Sequence, residues 1–582
     1  MKHCRWLALL LALALLLTGC DFKYYVQDVL PEQNGGVFSE IFSGIAPDEQ
    51  EKTLVPFSEM PYTRPDEDAL HALFNKAADL ADEGKDADAL MEALDAAFEA
   101  YDEFYTLDAI AMIRADADQT DAYYRDEYAW CEQLSSQSEQ WLETMLKACA
   151  GSKLRKKLER AGYFAPHELD YYEDSDDYND EMVKLYQQES ELISAYRELT
   201  ADPQVTLNGE TVSLNEYLSG DISDEEYDEA YNTYLRDINE EAADLYCKLV
   251  RLRKTIAGAC GYDSYEQMQY DYFGRDYGPD EVEDYLTSIR EQMAPYRKAL
   301  IEQGEYDKLT YPTVSERRIM NDLEKAMDKL GDPAASDFRM MREYELCDIS
   351  VSLRKAQTSY TVYLPSYGVP YIFSSTYGDI EDELYVAHEF GHFVDAYYSD
   401  NANASLDLGE CFSQGMEYLT LCNLRDILSE REYEALARIK LLDTLDTYAG
   451  QASYAAFEHA VYELPDEELN AETLNALSLK CYQDYGCDEM SEEACRLFWT
   501  QVSHFYELPF YVLSYCTSAD AAMQLYQKEL EIPGAGWDAY KSLLDDTGFP
   551  FLMALERAKL ESPLCEGRAE QALAILKAQM PE

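Results

Sequence analysis

The stretch DIEDELYVAHEFGHFVDAYY, residues 379–398, decides how the rest of the chain is read. It holds no proline, has Asp379 in the N-cap role and acidic residues in its first turn, and so predicts one helix. Four residues make about one helical turn, so His388 and His392 project from the same face. Two imidazoles so placed can hold one Zn²⁺ at about 2.0–2.1 Å. Glu389 lies next to the first of them, where it can reach a zinc-bound water without ligating the metal. Zinc lowers the pKa of that water, and the carboxylate takes its proton as general base. The neighbours Tyr385, Val386, Ala387, Phe390, Phe393 and Val394 are apolar, which argues against two solvated surface histidines. With seven histidines in 582 residues, this His-Glu-x-x-His pattern arises by chance in about one such chain in a hundred.

A catalytic zinc takes three protein ligands and keeps an open position. No third histidine follows closely. The segment LDLGECFSQGMEYLTLCNL (406–424) reads as a second helix, and its Glu410 comes 22 residues after His388. That interval allows a loop and a return on an antiparallel helix. Glu417, on roughly the same face as Glu410, is placed to orient a ligand from behind. Spacing alone leaves Glu410 evenly balanced between a ligand and an ordinary solvated acid.

Outward from this pair the chain is mainly α. Apolar residues recur at three- and four-residue spacing from about Asp66 to Ala201. Pro203 then breaks the helix. Residues 204–214, QVTLNGETVSL, predict a hairpin around Asn208-Gly209. A second β signal spans Thr358–Ser375, rich in Tyr, Val and Ile and interrupted by Pro365 and Gly368. The expected organisation is an N-terminal helical domain over 61–203 and a zincin-type catalytic domain over 204–582, with a small sheet beside the chemistry.

The first residues stand apart. Lys2 and Arg5 precede an apolar run from Trp6 to Leu17, too short to span a bilayer comfortably. Its ending, Leu17-Thr18-Gly19-Cys20, resembles the bacterial lipobox. That likeness implies a signal peptide over 1–19, lipidation of Cys20 and a mature chain held outside the cytoplasm on the bacterial cell membrane. Residues 20–60, with Pro31, Gly35, Gly36, Pro47 and Pro56, read as a tether. The formal charge of −68 excludes nucleic acid as a partner and reads as a solvated acidic surface. Twelve cysteines follow Cys20 in mostly apolar helical contexts, which favours buried thiols over disulfides. His71, His167 and His459 lie in no motif and read as structural or exposed.

His388-Glu389-Phe390-Gly391-His392, followed by Glu410-Cys411-Phe412-Ser413-Gln414-Gly415-Met416-Glu417, resembles the M3 family of zinc peptidases, the thimet oligopeptidase and oligoendopeptidase F type. In that family the first glutamate of an E-x-x-S-x-x-x-E segment is the third ligand, so the resemblance implies that role for Glu410. Tyr367–Ile372 is similar to the family's cleft-lining strand, implying that Gly368, Val369, Pro370 and Tyr371 pair with a bound peptide. His504–Tyr515, HFYELPFYVLSY, is similar to the segment carrying a histidine and tyrosines over the metal. It implies that His504, Tyr515 and Tyr511 donate to the oxyanion. The segment holds one more residue between histidine and tyrosines than the family pattern. The likeness runs from about residue 200 to the end and implies two helical lobes around a deep substrate channel. The implied activity is zinc-dependent endopeptidase cleavage of short unstructured oligopeptides, with one zinc per chain. Two competing readings are a lipid-anchored peptide-binding protein without catalysis and a metallocarboxypeptidase.

Overall fold

The computed structural model describes residues 54–164, 169, 172, 180–201, 203–207, 209–218, 222–352, 354–399 and 405–581. The signal segment 1–19, Cys20, most of the expected tether and His167 lie outside these residues.

Apolar periodicity sets three long N-terminal helices: α1 (Glu67–Glu83), α2 (Ala87–Ala117) and α3 (Ala122–Gly151). Each starts on an aspartate (Asp66, Asp86 or Asp121) whose side chain accepts a backbone N–H of the first turn. Leu70, Phe74, Leu90, Leu94, Phe98 and Leu146 meet in a core of their own. The far end of α2 leaves it, and Ala109, Ile110, Met112 and Ile113 pack into a second, larger core.

The division between cores differs from the expected boundary at 203. Helix α4 (Asp180–Ala201) packs along α5 (Asp224–Ala259), and its Met182 and Tyr196 belong to the larger core. The sequence reading carried helices through to about Ala201 and placed its break at Pro203, past this division. The predicted hairpin is present between them, with β1 (Gln204–Leu207) and β2 (Glu210–Ser213) paired through Val205 and Val212. Gly209 supplies the positive φ of its turn.

The tether also ends earlier than expected. Phe57 donates its N–H to the Tyr344 carbonyl, its ring lies 4.3 Å from that of Tyr371, and Met60 is buried. Residues 54–60 are therefore docked on the folded body, with Phe57 against the sheet and Met60 in the core.

That sheet has the order β3–β5–β4, with β3 (Cys347–Asp348), β4 (Ser359–Leu364) and β5 (Val369–Ser374). β5 is buried at every position, whereas β4 alternates half-buried and buried residues. β4 bonds to β5 over its whole length, from Ser359 opposite Ser374 to Leu364 opposite Val369. Against the sheet lies α6 (Asp382–Ser399), which packs in turn on α7 (Leu406–Leu424). Helix α6 starts three residues after the expected cap. Asp379 instead accepts the Glu381 N–H, and the Asp382 carboxylate folds back onto the amides of Tyr377, Gly378 and Asp379. Helices α8 (Glu430–Glu463), α9 (Ser503–Glu507) and α10 (Val512–Glu531) complete the surroundings of this pair.

Candidate active site

Helix α6 presents His388 and His392 on one face as the spacing requires, their ring centroids 5.0 Å apart. What brings a third donor to them is Gly391, one residue before His392. A Cβ there would collide with the Phe412 carbonyl and stand 2.6 Å from Ser413 Cα. Only glycine lets α6 and α7 approach this closely. The approach carries Glu410 to the histidines, with Oε2 3.8 Å from His388 Nε2 and 3.9 Å from His392 Nε2. These three residues are the group of metal-competent donors found among the described residues, each offering one ligand atom within 4.8 Å of the others.

The separations fit a small cation. They exceed hydrogen-bonding distance, and donors at about 2.0–2.1 Å from a central tetrahedral ion lie between 3 and 4 Å apart. The chemistry fits too. Two imidazoles and one carboxylate suit zinc, and burial keeps His392 well below the ordinary histidine range, leaving it neutral. Glu410 is fully buried. Ser413 fixes it by donating its hydroxyl to Oε2 at 2.9 Å.

Glu389 is buried beside the donors and is held from the sheet. Thr361 Oγ on β4 lies 3.0 Å from both Glu389 Oε2 and the Glu389 backbone oxygen. Burial pushes the Glu389 carboxyl up to about 7, against the pull of His388. Such a group exchanges protons readily near neutrality. Glu417 stands behind His388, its Oε1 2.9 Å from Nδ1. Its other oxygen receives the buried ammonium of Lys440, from α8, at 2.7 Å.

The C-terminal segment reaches the same place. Tyr511 donates its hydroxyl to Glu410 Oε1 at 3.4 Å. His504 stacks on the Tyr511 ring at 5.8 Å, and Tyr515 meets both rings edge-on, at 6.0 Å from His504 and 5.4 Å from Tyr511. Burial lowers His504 to about 4, so it is neutral in this cluster. The turn joining α9 to α10 is fixed at Phe510, whose φ is +65°. Glu458 accepts the Phe510 N–H at 2.7 Å, and Arg275 donates to its carbonyl at 3.1 Å. Arg253 holds α9 by donating to the carbonyls of Phe505 and Tyr506.

Gly368 lies in the turn before β5 with φ +65°, while Val369, Pro370 and Tyr371 belong to β5 itself, the middle strand. β4 pairs with β5 along its whole length on one side, and β3 pairs with Ile372 and Phe373 on the other. The Tyr-Val-Ile composition marks both strands alike and carries no information about their order. The histidines outside the motif also find structural partners: His71 stacks on Trp141 at 4.3 Å, and His459 Nδ1 lies 2.9 Å from Glu266. No disulfide joins the twelve described cysteines.

Thr361, Gly391, Lys440, Glu458 and Arg275 escaped the sequence reading. Lys440 left a signal, since a lysine within the apolar run ALARIKLL needs a buried partner. Thr361 left none, because its contact with Glu389 crosses from strand to helix.

Fold and donor set together belong to the metallopeptidase class. Comparison with known proteins narrows the class. Residues 57–164 match the Peptidase M3 N-terminal domain, and residues 335–548 match Peptidase family M3. The two segments together take in more than half of the chain, and the chain belongs to peptidase family M3. It is 24% identical over 376 residues to oligopeptidase PepF of Bacillus subtilis (strain 168), a match covering 59% of this chain and 54% of that protein. The chain thus aligns with about half the length of that relative. The fold is similar to that of a candidate oligoendopeptidase F (TM-score 0.73, 23% identity, 90% of this chain and 98% of that one). It is equally close to PZ peptidase A solved with an inhibitor (TM-score 0.72, 23% identity, 90% and 99%).

Proposed function

We propose that the chain is a zinc-dependent endopeptidase hydrolysing short unstructured oligopeptides outside the cytoplasm. The observation that carries this reading is the convergence of His388, His392 and Glu410 on one point, with the buried Glu389 carboxyl held beside it by Thr361. Zinc bound by those three donors would polarise the scissile carbonyl and acidify the attacking water. Glu389 takes the proton of that water and passes it to the leaving nitrogen. Thr361 keeps the carboxyl aimed while this happens. The tetrahedral intermediate carries a new negative oxygen that needs donors in place beforehand. Tyr515 and His504 fill that need, and Tyr511, bonded to Glu410, steadies the ligand as well as the cluster. An extended peptide adds to the outer edge of β4, whose Thr361 already touches Glu389. A deep channel between helical lobes limits entry to unfolded chains. Support for oligopeptides also comes from the PepF likeness.

The sequence of residues 1–20 supports the location, with Cys20 as the lipidated residue of the membrane-held chain. No helix among the described residues is long and apolar enough to cross a membrane. Mass analysis of products from a pool of defined peptides tests the activity. Internal cleavage supports it, loss of single terminal residues would mean a carboxypeptidase, and tight binding without products would mean a binding protein. Radiolabelled palmitate incorporated into the wild type but not into Cys20→Ser tests the anchor.

A further inference from the structure

The polar groups behind His388 do not end at Glu417. Its carboxylate is shared: Oε1 meets His388 Nδ1 at 2.9 Å, and Oε2 receives Lys440 Nζ at 2.7 Å. Lys440 is itself held. Its ammonium also lies 3.3 Å from Asp443 Oδ2 and 5.1 Å from the centre of the Tyr418 ring, and the residue is 3% exposed. Burying an ammonium this deeply is costly, and the cost is offset only where geometry is good. A carboxylate with a single partner can rotate about its last torsion, whereas one bonded at both oxygens cannot. A rotation of Glu417 would turn the His388 ring, because Nδ1 is its point of attachment. The ring direction decides whether Nε2 faces Glu410 and His392.

We propose that Lys440 is a positioning residue of the metal site, fixing Glu417 and through it the direction of His388 Nε2. This rests on the metal reading of His388, His392 and Glu410. It differs from two simpler roles. A lysine that only stabilises the fold would leave metal affinity unchanged once the protein is folded. A lysine acting only as a positive charge would oppose a cation, so its removal would tighten binding. Positioning predicts the reverse.

Zinc affinity of the full chain, measured by competition with a chromophoric chelator, separates these. Lys440→Met is expected to weaken zinc by about 10–100-fold, as loss of an outer-shell partner does. Glu417→Gln should weaken it similarly. The double variant should be no weaker than the worse single one, since both act through one chain of bonds. The visible absorption of the cobalt-substituted protein should change in Lys440→Met, reporting a turned imidazole, while the metal-free circular dichroism stays that of the wild type. Lys440→Gln, too short to reach Glu417, is the second variant if the methionine form does not fold, and the same loss is expected. Unchanged or tighter zinc binding with an unaltered cobalt spectrum in a folded variant overturns the proposal alone. A wild type that takes up no zinc overturns the metal reading and this proposal with it.

Discussion

Glu383 and Glu389 on α6 and Glu410 on α7 are three buried carboxyls, and their neighbours commit them to different work. Glu410 has Ser413 on one oxygen and Tyr511 on the other, the arrangement of a fixed ligand. Glu389 has Thr361 and is left poised near neutrality by burial. Glu383, nearly two turns before Glu389 on α6, is fully buried with neither oxygen hydrogen-bonded. Burial pushes its carboxyl up to about 9. A folded pKa above the unfolded one means the native state keeps a proton that the unfolded chain releases. Stability is then complete at acid pH and falls by up to about 1.4 kcal/mol per pH unit from near 4.5 until the folded value is reached. Glu383→Gln removes that titration. The unfolding midpoint of the variant should match or trail the wild type at pH 5 and exceed it at pH 8, with a flatter pH dependence between. A wild type equally stable at both pH values would contradict the assignment. The two histidines and Glu389 could be read at this scale because helical periodicity fixes their relation within one segment. Glu410 could not be told from other acids by spacing, since a second helix and a loop intervene.

Elements meet through residues whose importance is steric. Gly391 carries no chemistry, yet its missing side chain sets the approach of α6 to α7 on which the donor triangle depends. Gly391→Ala should force the helices apart, cost about 1–3 kcal/mol as overpacking does, and lower zinc retention on dialysis. Retention of full zinc with unchanged stability would show that the helices can slide to accept the methyl group. The turn at Phe510 works in the same way. A non-glycine residue with positive φ is held there by Glu458 and Arg275, and the turn delivers Tyr511 to Glu410. Helices were legible from apolar periodicity, and the hairpin from Asn208-Gly209. Strand order was not, because β4 and β5 share one composition and only their pairing shows which holds the edge.

At the scale of the whole molecule, 115 acidic residues against 47 basic ones leave a formal charge of −68. The buried cations are nearly all committed to anions, as Arg275 is to Asp407, Arg297 to Asp446 and Arg568 to Asp520. The excess therefore lies mainly at the surface and acts against compactness. Raising ionic strength from about 10 mM to 150 mM shortens the screening length from about 30 to 8 Å. The unfolding midpoint of the chain should rise over that range. A fall would mean that salt-sensitive surface ion pairs outweigh the repulsion. The charge was readable from composition, and the mainly helical class from apolar periodicity. The division into two cores was not, because α4 continues the periodicity of the smaller core while packing in the larger one.

The central claim is that Glu389 is the proton acceptor at a site built by His388, His392 and Glu410. Zinc content and cleavage of an internally quenched peptide, compared between wild type and Glu389→Gln, test it most directly. One zinc in both proteins, with cleavage reduced by about 10²–10⁴-fold in the variant, is the result expected of a lost general base. Equal cleavage by both proteins, with zinc bound in both, would contradict the account.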